Sequence, residues 1–391
     1  MTVLSSPMTI IDRGPLLAAE ATRAPSLRRP LPGDAALAGV YAAHFGQAYD
    51  AYLVTEPGWE YFWSAGRRGL IAVARQGRYL FSSGGLLAPP AHRQDLLQQF
   101  LGYAAEQGCA PTFFNVCEDQ LPLFRQCGFQ ATKWGEEAIV DLPLCTWSGK
   151  RYEWVRRQTN FCRRHGLDFL ECRPEDFSAA QWARLMDELL LVSRMFLAGK
   201  PQSREMPFLQ GSFDPCRLGQ KRLLIARNRD RGRIEGFIAC NPCGGQTWVI
   251  ETCRQRPDAV RGTTAFIMHQ AMRQFREEGA LRVSLCLLPG LHCRQPQPHD
   301  SALVRWGLAI GTGRFVPAFE TAGAYHFKTR FRPRFEDRYL CVRPRMTLGT
   351  AVAFIRLLGV MQLNPRRLLG LILDRWRKRA SRASLIAPVG E

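Results

Sequence analysis

The stretch "ETCRQRPDAVRGTTAF", Glu251 to Phe266, decides the fold. It begins inside an apolar, β-branched run, "QTWVIETCR", and leads into "GTTAFIMHQAMRQFREEGA", an amphipathic segment that ends at Gly279. Strand, polar loop and helix therefore follow one another directly. "LRVSLCLLP" then reads as a further strand, and "RLLIARNRDRGRIEGFIACN" upstream as two strands around a polar turn. The same order occurs earlier in the chain. "GLIAVARQGRYLFSSGG" (Gly69 to Gly85) reads as a hairpin turning near Gln76-Gly77. "HRQDLLQQFLGYAAEQGC" is a helix with Leu96, Leu97, Phe100, Leu101 and Ala104 at helical spacing, and "PTFFNVC" is a buried strand. A strand–strand–helix–strand unit thus appears twice, in element order rather than in residue identity.

The 391 residues suffice for two domains of common size. Apolar residues make up 46% and charged residues 22%, the balance of a globular protein, while 53 Lys and Arg against 34 Asp and Glu leave a net charge of +19. Such an excess points to an anionic partner: nucleic acid, an acidic membrane surface or phosphorylated substrates. The 13 cysteines form no disulfide framework, and Met1 to Pro15 lacks the pattern of a signal peptide, so a reducing cytosol is expected. The one CxxC, Cys240 to Cys243, lacks a second pair at metal-binding spacing. No apolar run reaches the roughly 18 residues of a membrane span, the nearest being Met346 to Leu363, broken by Arg356 and Gln362.

At Arg261-Gly262-Thr263-Thr264 the free N–H groups of a helix start can receive an anion. Acetyltransferases of the GNAT class hold the coenzyme A pyrophosphate on such a loop. Here Ala259 stands where their loop usually carries Arg or Gln, so a plain strand-to-helix turn is the alternative. Glu251 and Arg254, three apart at the strand end, either face what the loop holds or pair with each other on the surface. "LLLVSRMFLAGKPQSREMPFLQGSFD" is a helix running into a polar loop with Lys200, Arg204 and Glu205. No G-x-S-x-G elbow and no histidine triad pattern is present, which argues against covalent serine or cysteine catalysis. In "GAYHFKTRFRPRFEDRYL" (Gly323 to Leu340) Phe327, Phe331 and Phe335 lie four apart among Lys328, Arg330, Arg332, Arg334 and Arg338. Phe327 and Phe331 read as the buried side of a short helix ended by Pro333, with Tyr339-Leu340 opening the closing strand.

Six segments, in order, carry a resemblance: "KWGEEAIVDL", "SGK" with "RRQTN" and "RRHG", "VSRMFLAGK" with "FLQGSFD", "ETCRQRPDA" with Gly262, "SLCLLPG", and "FKTRFRPRFEDRYL". Over residues 40 to 344 the chain resembles the cytosolic catalytic domain of bacterial aminoacyl-phosphatidylglycerol synthases, the phosphatidylglycerol lysyltransferases or multiple peptide resistance factors. The resemblance implies an α/β (α+β) fold with two GNAT-like domains in tandem, an aminoacyl-tRNA donor and a lipid acceptor. Where the family has an Asp, two apolar residues and an Arg, this chain has Glu251 and Arg254. Lys328 matches the Lys of the family's "FK" motif, and Cys286 stands where a Gly is usual. The multi-span region that accompanies many members has no counterpart in this sequence, so surface binding is the expected route to lipid.

The expected organisation is an N-terminal arm (1–33), a first GNAT-like domain (34–145), a second carrying the active site (146–344), and a basic amphipathic tail (345–391). Within it, up to Arg382, the cations Arg366, Arg367, Arg375, Arg377, Lys378, Arg379 and Arg382 face the single acid Asp374. Each cation near an anionic bilayer contributes about 1 kcal/mol, so peripheral attachment to the inner face of the cell membrane is expected. The expected reaction is transfer of an aminoacyl group from tRNA to a hydroxyl of a lipid such as phosphatidylglycerol, with neither metal nor cofactor. Arg254 and Lys328 would meet a phosphate or the developing oxyanion, and Glu251 would orient the hydroxyl or the aminoacyl amine. Arg261, Gly262, Lys200 and Glu205 would bind substrate, and Arg338 would bind it or brace its strand. The competing readings are a coenzyme A-dependent N-acyltransferase and a non-catalytic polyanion-binding protein.

Overall fold

The computed structural model of the chain describes residues 25–199, 208, 211–219, 221–312 and 321–357. Strand β1 (Leu27–Arg28) leads into helix α1 (Asp34–Phe45). Strands β2 (Glu60–Trp63), β3 (Leu70–Gln76) and β4 (Tyr79–Ser82) form an antiparallel meander, followed by α2 (Arg93–Glu106), β5 (Ala110–Cys117), α3 (Leu121–Gln126) and β6 (Gln130–Asp141). The order then recurs. Helix α4 (Glu153–Arg164) precedes β7 (Leu167–Cys172) and α5 (Ala179–Ala198), and β8 (Arg222–Asn228), β9 (Arg233–Cys243) and β10 (Thr247–Gln255) form the second meander. After it come α6 (Thr263–Glu277), β11 (Arg282–Pro289), α7 (Ala302–Gly311), α8 (Thr321–Lys328), β12 (Arg334–Val342) and α9 (Leu348–Leu357). The fold is α/β, as expected, with both strand–strand–helix–strand units in place.

All twelve described strands belong to one sheet, in the order β1-β2-β3-β4-β5-β12-β6-β11-β10-β9-β8-β7. Read inward from either edge, an antiparallel meander is followed by one parallel pair, β4 with β5 or β10 with β11. The closing strands are exchanged: β12 lies against β5 of the first stretch, and β6 lies against β11 of the second. Residues 34–145 and 146–344 therefore share one sheet, with β6 and β12 paired at its centre.

Both faces of the sheet are covered, which is why β3 and β5 read as continuous apolar runs instead of alternating. On β12, Leu340 and Val342 enter one core, while Tyr339 and Cys341 enter the core on the other face with Leu97 and Phe100 of α2. A third core beneath α4 and α6 gathers Val155, Phe266, Met272, Phe275 and Phe331. Helix α5 starts with a capping box in which Ser178 and Gln181 satisfy each other's backbone N–H groups. Strand β12 begins five residues before the expected Tyr339. Its polar first turn is held by ion pairs, Arg334 with Asp141 and Lys133 with Asp337, which hydrophobic patterning does not register. Residues 1–24 of the expected arm and 358–391 of the expected tail lie outside the described residues.

Candidate active site at the parting of two parallel strands

Strands β10 and β11 pair from Thr247 with Arg282 to Val249 with Ser284, and there the parallel register ends although both strands continue. Two irregularities shape the gap. On β11, Leu285 and Cys286 together oppose the single step from Ile139 to Glu137 of β6, and Cys286 adopts φ 65°. On β10, the register with β9 passes from Ile250 to Thr252, which leaves Glu251 out of the ladder.

Lys328, the last residue of α8, reaches into this gap. Its ammonium donates to the carbonyls of Cys286 at 3.0 Å and Leu287 at 3.2 Å. Burial holds its pKa below the ordinary lysine value, outweighing the nearby Cys286 and Glu137. A protonated Nζ has three N–H groups, so one is left for a further acceptor. The Cys286 thiol donates to the Ile250 carbonyl at 3.2 Å, tying the parted strands together, and burial pushes its pKa well up.

Glu251 is 2% exposed, and its ion partner is Lys221, at 3.1 Å. Lys221 is shared with Glu56 at 3.0 Å, and Ser212 donates to the other Glu56 oxygen at 2.5 Å. Glu56 belongs to the loop before β2, so the first half of the chain completes a charge cluster of the second. Burial pushes the Glu251 carboxyl above its usual range, while Lys221 and the neighbouring Asn241 amide pull against it and Glu56 adds to it. Although burial draws the Lys221 ammonium down, the two carboxylates hold it above the ordinary lysine value. Among the described residues, Glu251 Oε1 has no hydrogen-bond partner. Gly211 (φ 66°) closes over it, and a Cβ there would stand 2.1 Å from Oε1.

Arg254 packs its guanidinium over the Phe196 ring, 5.0 Å from the centroid, and donates to the Cys253 carbonyl. Arg338 is buried between Glu137 (2.7 Å) and Glu336 (2.7 Å). It joins the exchanged strands β12 and β6, and Glu137 also takes a hydrogen bond from Ser284 of β11. Arg338 also lines a cavity of about 800 Å³ with Glu118, Asp119, Glu137, Glu336 and Asp337. Arg261 is exposed, and Gly262 (φ 89°) caps α6 while packed on α4: a Cβ there would stand 2.5 Å from Gln158 Oε1. Lys200 and Glu205 lie outside the described residues. Cys240 and Cys243 face different cores, Cys240 beneath α6 and Cys243 with Trp134 on the other, so the two thiols do not converge on one point.

The structure thus gathers Glu251 and Lys328 at one strand parting, and adds Glu56, Lys221, Ser212 and Gly211, which sequence reading missed. Glu56 and Lys221 are 165 residues apart, beyond any local motif. One compositional signal was available: only six of the 53 cationic residues are lysines, and Lys221 and Lys328 are two of them. Unlike the always-charged guanidinium, an ammonium is a compact point charge with three rotatable donors, and its pKa shifts readily on burial.

Residues 40–342 match the family model described as phosphatidylglycerol lysyltransferase, C-terminal. A phosphatidylglycerol lysyltransferase of Bacillus subtilis is 24% identical over 304 residues, which cover 76% of this chain and 34% of that protein. One from Staphylococcus aureus is 26% identical over 310 residues, covering 79% and 36% respectively. The chain therefore spans about a third of the length of these curated relatives. The solved structure of L-PGS from Bacillus licheniformis superposes with a TM-score of 0.69 at 22% identity, covering 85% of this chain and 98% of that one. With a family match running through both halves of the sheet and through Glu251, Arg254 and Lys328, the chain belongs to the phosphatidylglycerol lysyltransferase C-terminal family.

Proposed function

We propose that the chain transfers an aminoacyl group from aminoacyl-tRNA to a hydroxyl of a membrane lipid such as phosphatidylglycerol, at the parting of β10 and β11. The observation that carries this reading is Lys328: a desolvated amine held on two carbonyls, on the same strand parting as a buried carboxylate, one of whose oxygens has no partner among the described residues. The reaction exchanges one ester for another. The lipid hydroxyl oxygen bonds to the aminoacyl carbonyl carbon, the bond from that carbon to the ribose oxygen breaks, and the hydroxyl proton passes to the ribose oxygen. Lys328 donates its remaining N–H to the tetrahedral oxyanion. Glu251 Oε1 accepts from the aminoacyl ammonium or from the attacking hydroxyl, and Lys221 with Glu56 fixes the carboxylate in place. Holding the two substrates in attack geometry supplies up to ~7–11 kcal/mol of the barrier. Arg254 of β10 serves the same substrates, as do Lys200 and Glu205 of the sequence that follows α5. Arg338 braces the seam between the exchanged strands.

Two further features support a lipid acceptor. Helices α7 and α9 bury one side in the same core and expose Trp306 and Ile310, and Leu348, Val352 and Ile355, on the other. No helix among the described residues is long and apolar enough to cross a membrane, so these faces and the basic stretch beyond residue 357 suit peripheral contact with an anionic surface. Against a coenzyme A donor stands the start of α6, where Gln158 of α4 packs on Gly262 and Thr264 is tied to Gln255. In this reading each half is an acyltransferase-like unit, and the second holds the chemistry.

The test is expression in a host without aminoacylated lipids, followed by lipid extraction. A new ninhydrin-positive lipid, whose formation in vitro is abolished by RNase, is expected. No such lipid, an RNase-resistant product or turnover with acyl-coenzyme A alone overturns the reading.

A further inference from the structure

Helices α4 and α6 enclose, on the side away from the sheet, a recess of about 620 Å³ that shares no residue with the β10–β11 parting. Arg156, Arg163, Arg273 and Arg276 line it, against one acid, Glu277. Two of the arginines are anchored on neutral backbone. Arg156 donates to the carbonyls of Trp147 (3.2 Å) and Gly149 (2.8 Å), and Arg276 to that of Cys145 (2.5 Å). Arg163 donates to the Gln270 amide at 3.3 Å, and Arg273 stands 3.8 Å from the exposed Glu277. Most of this positive charge is therefore positioned without being neutralised.

The deeper part of the recess holds two aromatic rings, Trp147 and His269, 9% and 5% exposed and 4.8 Å apart between centroids. Trp147 Nε1 and His269 Nε2 are both buried without a hydrogen-bond partner among the described residues. His269 Nδ1 lies 2.9 Å from the Thr159 hydroxyl, and when that hydroxyl donates to it the ring proton sits on Nε2. An indole N–H and an imidazole N–H left unpaired in a buried position each destabilise the protein, and such groups normally have a partner. Unpaired donors beneath a ring of guanidinium groups form a site for a compact ligand that only accepts hydrogen bonds and carries negative charge. A phosphate group, with several acceptor oxygens matched to arginine forks, fits this better than a carboxylate.

We propose that this recess binds the phosphate group of a small molecule, either free phosphate or the phosphodiester of a glycerophospholipid headgroup. The proposal is independent of the transfer reaction assigned to the strand parting. Its ligand also has a reporter. Burial, then Arg273, Arg163 and Arg156, hold His269 down to about 4, and a bound anion opposes all three cations, so its titration moves up on binding.

The experiment titrates the full chain with inorganic phosphate and, separately, with glycerophosphoglycerol, following heat of binding and the His269 ring resonance. Saturable binding by at least one probe is expected, with His269 titrating at higher pH in the complex. Replacing two rim residues, Arg163→Gln with Arg273→Gln, weakens that binding at least about tenfold, as loss of charge-assisted hydrogen bonds requires, and leaves the unfolding midpoint unchanged. Tighter binding of glycerophosphoglycerol identifies a lipid headgroup as the source, and equal or tighter binding of inorganic phosphate identifies free phosphate. Failure of both probes to saturate, equal binding of chloride, unaltered affinity in the double variant, or occupation by tRNA that neither probe displaces overturns the proposal.

Discussion

The sheet contains the same irregularity twice, and its two copies have been filled with opposite chemistry. In the first half the parallel register ends at Ser82 with Phe113, and in the second at Val249 with Ser284. Two residues further on, Gly84 stands where Glu251 stands, and Asn115 where Cys286 stands. Asn115 and Cys286 share a left-handed backbone, φ 56° and 65°. In each half two residues of the parting strand oppose one step of an exchanged strand. The first parting is bridged by a polar network on one oxygen of Asp50, while Asp50 Oδ1, like Glu251 Oε1, has no partner among the described residues. Asp50 accepts from Asn115 (2.7 Å), Ser83 and Gly84, while Asn115 accepts from the Trp134 indole at 2.9 Å. Beside it Phe114 stacks on Phe354 of α9, with centroids 4.7 Å apart. The second parting holds a lysine on two carbonyls and a carboxylate paired with a second buried lysine, Lys221. Neutral hydroxyl, amide and backbone donors hold the first carboxylate, whereas two buried lysines bring positive charge to the second parting. That difference is the physical content of assigning chemistry to the second half.

The variant expected to do most damage breaks the frame common to both partings. Arg338 and Glu137, each 2% exposed, join β12 to β6. Arg338→Met leaves Glu137 buried and uncompensated, and should cost about 3–5 kcal/mol of stability in chemical denaturation. A loss below about 1 kcal/mol would mean that the exchanged strands are held by their apolar faces alone.

Lys328→Met should break only the second parting. Loss of one oxyanion donor predicts a fall in aminoacyl transfer of about 10²–10³-fold. Relief of the desolvated ammonium offsets the loss of its hydrogen bonds to the Cys286 and Leu287 carbonyls, so stability at neutral pH should change little. The sign of the pH dependence follows from the pKa, which is lower in the folded protein than in the unfolded chain. Stability from such a group is present above the ordinary lysine value and is lost as pH falls through the depressed one. The stability of Lys328→Met relative to the wild type should therefore fall as pH is raised toward the ordinary lysine value. A variant that loses activity and stability together at neutral pH would make Lys328 a structural residue.

How far the sequence foretold this contrast depends on which link is asked for. The repeated element order was legible, because helix and strand periods are local: Leu96, Leu97, Phe100, Leu101 and Ala104 all proved buried on one face of α2. Strand exchange was not, since nothing in β6 or β12 states which neighbour each will choose. Glu251 and Lys328 were reached through motif resemblance and are brought to one gap. Glu56 and Lys221 were not reached, because their partnership exists only once the loop before β2 meets the segment before β8. The departure at Cys286 from a usual glycine was visible in the sequence, but its meaning needed the backbone. The position is left-handed, a conformation that glycine adopts freely and other residues adopt at some cost.

That position permits the finest test of the comparison, made with one substitution in each half. Glycine relieves a left-handed backbone by about 1 kcal/mol in either place. At Cys286 little else is lost, since the thiol makes one weak bond to the Ile250 carbonyl, so Cys286→Gly should lie within about 1 kcal/mol of the wild type. At Asn115 the same change removes a donor to Asp50 and leaves the Trp134 indole N–H buried without an acceptor. A charge-assisted bond at roughly 1.5–3 kcal/mol and a stranded donor at roughly 1–3 kcal/mol outweigh the relief, so Asn115→Gly should lose about 1.5–5 kcal/mol. Urea denaturation of the two variants measures the difference directly. Equal losses would show that both partings are held by comparable internal contacts, and the assignment of one to structure and the other to chemistry would lose its basis.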